Sequence, residues 1–153
     1  MTEAEQRARA RCREHEGCKL EGYTDSLGKW TVGYGHLITD TDEWLKRRPN
    51  HAISQAEADQ LFEEDWRIAA EGAQRLCEHH GVQPHDDEPR FWVLVEMTFQ
   101  LGQAGLRRFS NMWNSAGQGA WAETALHALD SRWMEQTPRR ARRLAMILWR
   151  GTD

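Results

Sequence analysis

The sequence predicts an α+β fold, mainly helical, in one domain of two lobes. Three observations carry this reading. Runs of good helix formers with recognisable ends fill most of the chain. One segment, EHEGCKLEGYTDSLGKWTVGYGH over residues 14–36, interrupts them with five glycines among short strand-like runs. A length of 153 residues is enough for a real core in a single domain.

Residues 3–16 read as a helix ending before Gly17, a natural residue just past a helix end. From Lys19 to His36 the runs LEGYTD and KWTVGYGH flank the turn signal Ser26-Leu27-Gly28, which predicts a hairpin or a three-strand sheet. Residues 40–53 read as loop or short helix, broken at Pro49-Asn50. Ser54-Gln55-Ala56-Glu57 has the form of a capping box and opens a helix that runs to about His80. At 1.5 Å per residue such a helix is about 37 Å long, a reach suited to joining two lobes. Its apolar stripe passes through Ala58, Leu61, Phe62, Ala69, Ala73 and Leu76, with Asp65 lying on it. A carboxylate on a buried stripe needs a partner, and His36 is the candidate.

GVQPHDDEP reads as a linker, FWVLVEMTFQL (91–101) as a central buried helix stopped at Gly102, and GQAGLRRF as a turn. Shorter helices follow at 110–116 and 120–129. Thr137-Pro138 reads as an N-cap with proline in the first turn, opening a last helix to Arg150 before Gly151. Trp133 reads as core, and Trp113 as core or as a ring facing a binding site. The lobes are expected at about 14–60, with the sheet, and at about 75–153 together with the N-terminal helix.

A net charge of −4 gives no case for nucleic acid. The charge is uneven: six arginines lie between Arg132 and Arg150 against the single acid Glu135, which reads as a solvated helix face or as a surface that attracts an anionic substrate. Cys12, Cys18 and Cys77 leave an odd thiol over and read as reduced cysteines of a protein made in a cytosol. Cys77, His79, His80 and His85 lack a second pair at ligand spacing, so no metal is expected. No apolar run reaches transmembrane length, and the first residues carry no signal-peptide core, so membrane insertion is not expected.

The chemistry lies in residues 14–36. Glu16 closes a helix, where the negative end of the dipole favours the neutral, proton-bearing acid that protonates a leaving group. Asp25 sits beside a glycine turn within reach of solvent, which keeps a carboxylate charged. Two carboxyls in unlike environments meet the requirement for cleaving a glycosidic bond. Thr31 offers a hydroxyl to hold the attacking water. Taken alone, a Glu and an Asp at this separation prove nothing, and His36 reads as a structural partner of Asp65.

Glu16, eight residues, Asp25, five residues, Thr31 and then GYGH resemble the Glu/Asp/Thr signature of the phage-type lysozymes, glycoside hydrolase family 24. SQAEADQLFEEDW, MTFQLGQAGLRRFSN and SRWMEQTPRRARR continue the resemblance in register over roughly residues 10–152. It implies a lysozyme-like two-lobe fold with the cleft between the lobes. It implies Glu16 as general acid, Asp25 as catalytic aspartate and Thr31 as the residue positioning water for inversion. It further implies Leu37, Phe99 and Gln100 as saccharide contacts, His36 with Asp65 as a structural ion pair, and Arg140 as a partner of Glu16. Met112 and His127 depart from the family pattern near the cleft. The implied protein is a monomeric endolysin without cofactor or metal. It hydrolyses the β-1,4 bond between N-acetylmuramic acid and N-acetylglucosamine of bacterial peptidoglycan. It is expected to be made in a host cytoplasm and to reach the wall through a holin. The rival readings are a lytic transglycosylase on the same scaffold and a non-catalytic wall-binding module.

Overall fold

The structure is a computed structural model that describes residues 1–84 and 88–153. His85 and part of the expected linker lie outside the described residues. The chain folds as two compact units, one of residues 11–67 and one of residues 1–10 with 68–153. Eight α-helices and one small antiparallel sheet account for the regular structure among the described residues, giving a mainly helical α+β fold.

In the smaller unit, the end of helix α1 (Glu3–Glu16) leads into strands β1 (Lys19–Thr24), β2 (Trp30–Gly33) and β3 (His36–Leu37). The sheet has the order β1-β2-β3 with every pair antiparallel. Alternation along β2 sends Val32 into a core with Leu45, Ile53, Ala58 and Leu61, and sends Thr31 to the opposite face. The segment read as loop or short helix forms α2 (Glu43–Lys46) and a 3₁₀ turn (Pro49–His51). Ile53 N–H then bonds Leu20 C=O at 2.9 Å, which fastens this segment to β1.

Helix α3 (Gln55–His80) starts at the capping box. Glu57 N–H donates to Ser54 Oγ (3.1 Å) and Ser54 N–H donates back to Glu57 Oε2 (2.8 Å). Its stripe residues Ala58, Leu61, Phe62, Ala69, Ala73 and Leu76 are all buried.

In the larger unit, α4 (Glu88–Arg107), α5 (Ser110–Gly117), α6 (Trp121–Leu129), α7 (Arg132–Gln136) and α8 (Pro138–Arg150) enclose a second core. It includes Val93, Leu94, Met97, Trp113, Trp133, Leu144 and Leu148. Two expectations need correction here. The helix before Gly102 does break there, with φ 74° and ψ 159°, but helical turns resume, so most of GQAGLRRF is helix rather than turn. Leu106 explains this: the residues after the break still bury an apolar side chain in the core. Thr137 stands at the N-cap of α8, as expected, but its side chain makes no cap bond. Its hydroxyl donates to Trp133 C=O (3.1 Å), which the preceding helix α7 brings within reach. Of the two readings of Trp113 the core one holds: it is fully buried and its N–H donates to Leu106 C=O at 2.9 Å.

Candidate active site

Glu16 is the last residue of α1, and the helix end is held within its own unit. Gly17 N–H closes onto Arg13 C=O (2.9 Å), while the Arg13 guanidinium lies 4.1 Å over the Phe62 ring and bonds Glu63 at 3.0 Å. The carboxylate of Glu16 reaches the backbone of Gly35. A Cβ at position 35 would lie 3.0 Å from Glu16 Oε2, and φ there is +79°. The second glycine of GYGH therefore gives Glu16 its room, which answers why the turn before β3 carries no side chain there.

Asp25 begins the β1–β2 turn and is held by main chain. Its Oδ1 accepts the N–H of Leu27 (2.8 Å) and of Lys29 (2.9 Å), while its own N–H and C=O bond Lys29 and Gly28. Both side-chain bonds fall on one oxygen, so Oδ2 keeps its lone pairs for another donor.

Thr31 is in the central strand, only 6% exposed, and its hydroxyl donates to Lys29 C=O at 3.2 Å. With its proton so committed, Oγ1 is left as an acceptor. Register sets Tyr23 opposite Thr31 and Leu37 beyond it, so these three residues form one row across one face of the sheet. Tyr23 ties the row to the acids. Burial raises its phenol above the usual value, and the charges of Glu16 and then Asp25 raise it further. One hydroxyl thus feels both carboxylates. No motif in the sequence singles it out; only strand register shows it.

His36, in β3, is bracketed by two carboxylates. Nδ1 lies 2.8 Å from Asp65 Oδ2 and Nε2 lies 3.2 Å from Asp42 Oδ2. Burial pulls the imidazole down, but the bonds and charges of Asp65 and then Asp42 outweigh it and raise the group. Burial likewise pushes Asp42 up, yet the Thr39 N–H and His36 together leave it lowered. Sequence reasoning found Asp65 through the stripe of α3. It missed Asp42, which lies in an irregular loop with no periodicity to betray it.

The remaining expected site residues belong to the larger unit. Gln100 is engaged at both ends of its amide, accepting Trp133 N–H at 2.8 Å and donating to Thr137 Oγ1 at 3.2 Å. Phe99 is half-buried in α4, and Arg140 is buried in α8. Met112 and His127 line a cavity of about 280 Å³ with Arg108, Ser110, Asp130 and Ser131. Burial pushes the thiol of Cys77 up to about 12, with Glu78 adding to the shift, so it is no ready metal ligand. Among the described residues no group of three His, Cys, Asp or Glu is placed to hold a metal ion.

The profile of the family described as phage lysozyme matches residues 13–146, which take in every site residue named above. The chain belongs to the phage lysozyme family. It is 31% identical over 153 residues to the probable T4-type lysozyme 2 of Dictyostelium discoideum, covering 90% of each chain. It is 29% identical to the probable T4-type lysozyme 1 of the same organism, again over 90% of both. A third relative is the pre-baseplate central spike protein Gp5 of Enterobacteria phage T4, 30% identical over 91% of this chain but only 27% of the spike protein. Membership of this family makes the chain a muramidase-like lysozyme, a glycoside hydrolase.

Proposed function

We propose that this lysozyme is an inverting endolysin that hydrolyses the β-1,4 bond between N-acetylmuramic acid and N-acetylglucosamine in bacterial peptidoglycan. The observation that carries the reading is the grouping of Glu16, Tyr23, Asp25 and Thr31 within the smaller unit, where Tyr23 lies in the field of both acids. Glu16 gives its proton to the glycosidic oxygen as the bond to the anomeric carbon breaks. A water donates one hydrogen to Asp25 Oδ2 and the other to Thr31 Oγ1, both of which have acceptor capacity left. Its lone pair is thereby aimed at the anomeric carbon. As the new C–O bond forms, Asp25 takes the water's proton. Leu37, Phe99 and Gln100 are carried over from the family as saccharide contacts. Gln100 would serve through a preset amide, since Trp133 and Thr137 fix its orientation.

The test is to digest purified peptidoglycan and identify the new sugar ends by mass spectrometry. Reducing muramic acid ends are expected; 1,6-anhydro ends would mean transglycosylation, and intact glycan would mean a binding module. Glu16→Gln is expected to abolish turnover with an unchanged melting temperature. More than a few per cent of parent activity in that variant would remove Glu16 from the acid role. The endolysin role has its own test. Expressed in Gram-negative cells, the protein is expected to lyse them only when a holin or a permeabilising agent opens the inner membrane. Lysis without either would overturn the proposed dependence.

A further inference from the structure

Helices α6 and α8 of the larger unit carry a second surface that includes none of Glu16, Asp25 and Thr31. Helix α8 buries Arg140, Ala141, Leu144, Ala145, Ile147 and Leu148 and leaves Arg139, Arg142, Arg143, Met146, Trp149 and Arg150 exposed. On that outer side Arg142, Met146 and Trp149 follow one another at helical spacing, with Arg139, Arg143 and Arg150 on the adjoining row. Met146 is 42% exposed and Trp149 53%, and across from them on α6 Leu126 is 67% exposed. Between α6 and α8 runs a groove of about 460 Å³, lined by Ala122, Leu126, Leu129, Arg142, Met146 and Trp149 among others. Packing does not explain this surface. The core beneath is already closed by the inner residues of α8, so three large apolar side chains project outward beside four exposed arginines.

We propose that the α6/α8 face docks the chain peripherally on a membrane surface rich in anionic phospholipid. Two features on the same face select this occupant. The apolar residues protrude beside a groove of a size that takes acyl carbons, and a tryptophan stands at the boundary between apolar and charged surface, where its ring suits a lipid interface. The charge is complementary as well. Helix α8 contains no acidic residue, and its arginines carry long stems that lie along apolar surface while their heads meet phosphate. A second copy of the chain fits less well. Eight residues line the groove, against the roughly 20–30 per side of a stable dimer. A two-fold contact would also bring α8 arginines against themselves.

The experiment is co-sedimentation with two sets of vesicles, phosphatidylcholine alone and phosphatidylcholine mixed equally with phosphatidylglycerol. Binding is expected only to the anionic set and is expected to weaken as salt is raised. Arg142→Gln is expected to lower partitioning about five-fold, the effect of one basic residue near such a surface. Leu126→Gln combined with Trp149→Gln is expected to abolish it. Both positions are exposed, and an unchanged melting temperature shows that the double variant is folded. Turnover of soluble peptidoglycan fragments is expected to persist in the double variant, so failure of the docking face and failure of the muramidase reading are distinguishable. No binding, equal binding to both vesicle sets, or undiminished binding of the double variant would each overturn the proposal. So would a dimer, seen by sedimentation velocity, that Leu126→Gln dissolves; that result would give the face to a second copy.

Discussion

At the scale of single residues, the site depends as much on Gly35 as on the acids. Any side chain at that position meets Glu16 Oε2 at 3.0 Å and must also adopt a left-handed backbone. Gly35→Ala is therefore expected to displace the carboxylate and lower kcat about ten- to a hundred-fold, the cost of misplacing a reacting group by a fraction of an ångström to an ångström. Steady-state kinetics beside a melting curve checks it: a fall in stability with kcat unchanged would mean that Glu16 tolerates the contact. His36 supplies a second residue-scale expectation. Its value is raised above 6.5 in the folded chain by two carboxylates. The unfolded state therefore binds fewer protons than the folded state between 6.5 and the raised value. The stabilisation is fully present below pH 6.5 and is lost as pH rises through the folded value. Asp65→Asn removes the shorter of the two contacts. It is expected to cost about 1–3 kcal/mol at pH 6 and to flatten the decline in stability above pH 6.5. Denaturant melts across pH check the slope, and an unchanged slope would remove His36–Asp65 from the balance.

At the scale of elements, the start of α3 shows how a local signal is reinforced from outside. The capping box satisfies both ends of its own exchange, and Arg48 then grips Glu57 through two bonds of 2.6 and 2.7 Å. Arg48 first and the Ser54 N–H second hold the Glu57 carboxyl down at about 2. Its contribution is thus present above pH 4.5 and lost only as pH falls toward 2. Ser54→Ala is expected to destabilise by about 1 kcal/mol at neutral pH, read by denaturant melts. A change near zero would show that Arg48 holds the helix start without the hydroxyl. This element was legible because S-x-x-E is contiguous; Arg48, on the 3₁₀ approach, is not signalled by any spacing. The same distinction separates success from failure elsewhere. Helices α1, α3, α5, α6 and α8 were read from periodicity and their ends. The short α7 was not anticipated, because five residues give too little periodicity to detect. Gly102 marked a real break, but a break in one residue's dihedrals does not end a helix whose next turn still buries Leu106.

At the scale of the whole molecule, each unit encloses its own core: Val32, Leu45, Ile53, Ala58 and Leu61 in the smaller, and the set around Trp113 and Leu148 in the larger. Leu45→Ala is expected to cost about 2–5 kcal/mol in the smaller unit. Native-state hydrogen exchange is expected to show faster opening of the strands than of α6 and α8. Equal loss of protection everywhere would mean that the two cores open together. That Glu16, Asp25 and Thr31 fall in one unit was legible because they lie along one short stretch of chain. The sequence did not carry the Tyr23–Thr31–Leu37 row, which depends on register, nor the groove beside α8, which depends on how two helices pack.

The hold on Asp25 bears on how freely this enzyme can be varied. The groups that fix its carboxylate are amide hydrogens of the chain itself, and the intervening side chains Ser26 and Leu27 project away, Leu27 being 78% exposed. The information that orients the aspartate is thus stored in the number of residues in the turn rather than in the identity of those two. Substitution at 26 or 27 is expected to leave the carboxylate in place, whereas a one-residue insertion is expected to displace it. The tip is consequently a natural attachment point for a label or crosslinker placed within a few bonds of the proposed catalytic aspartate.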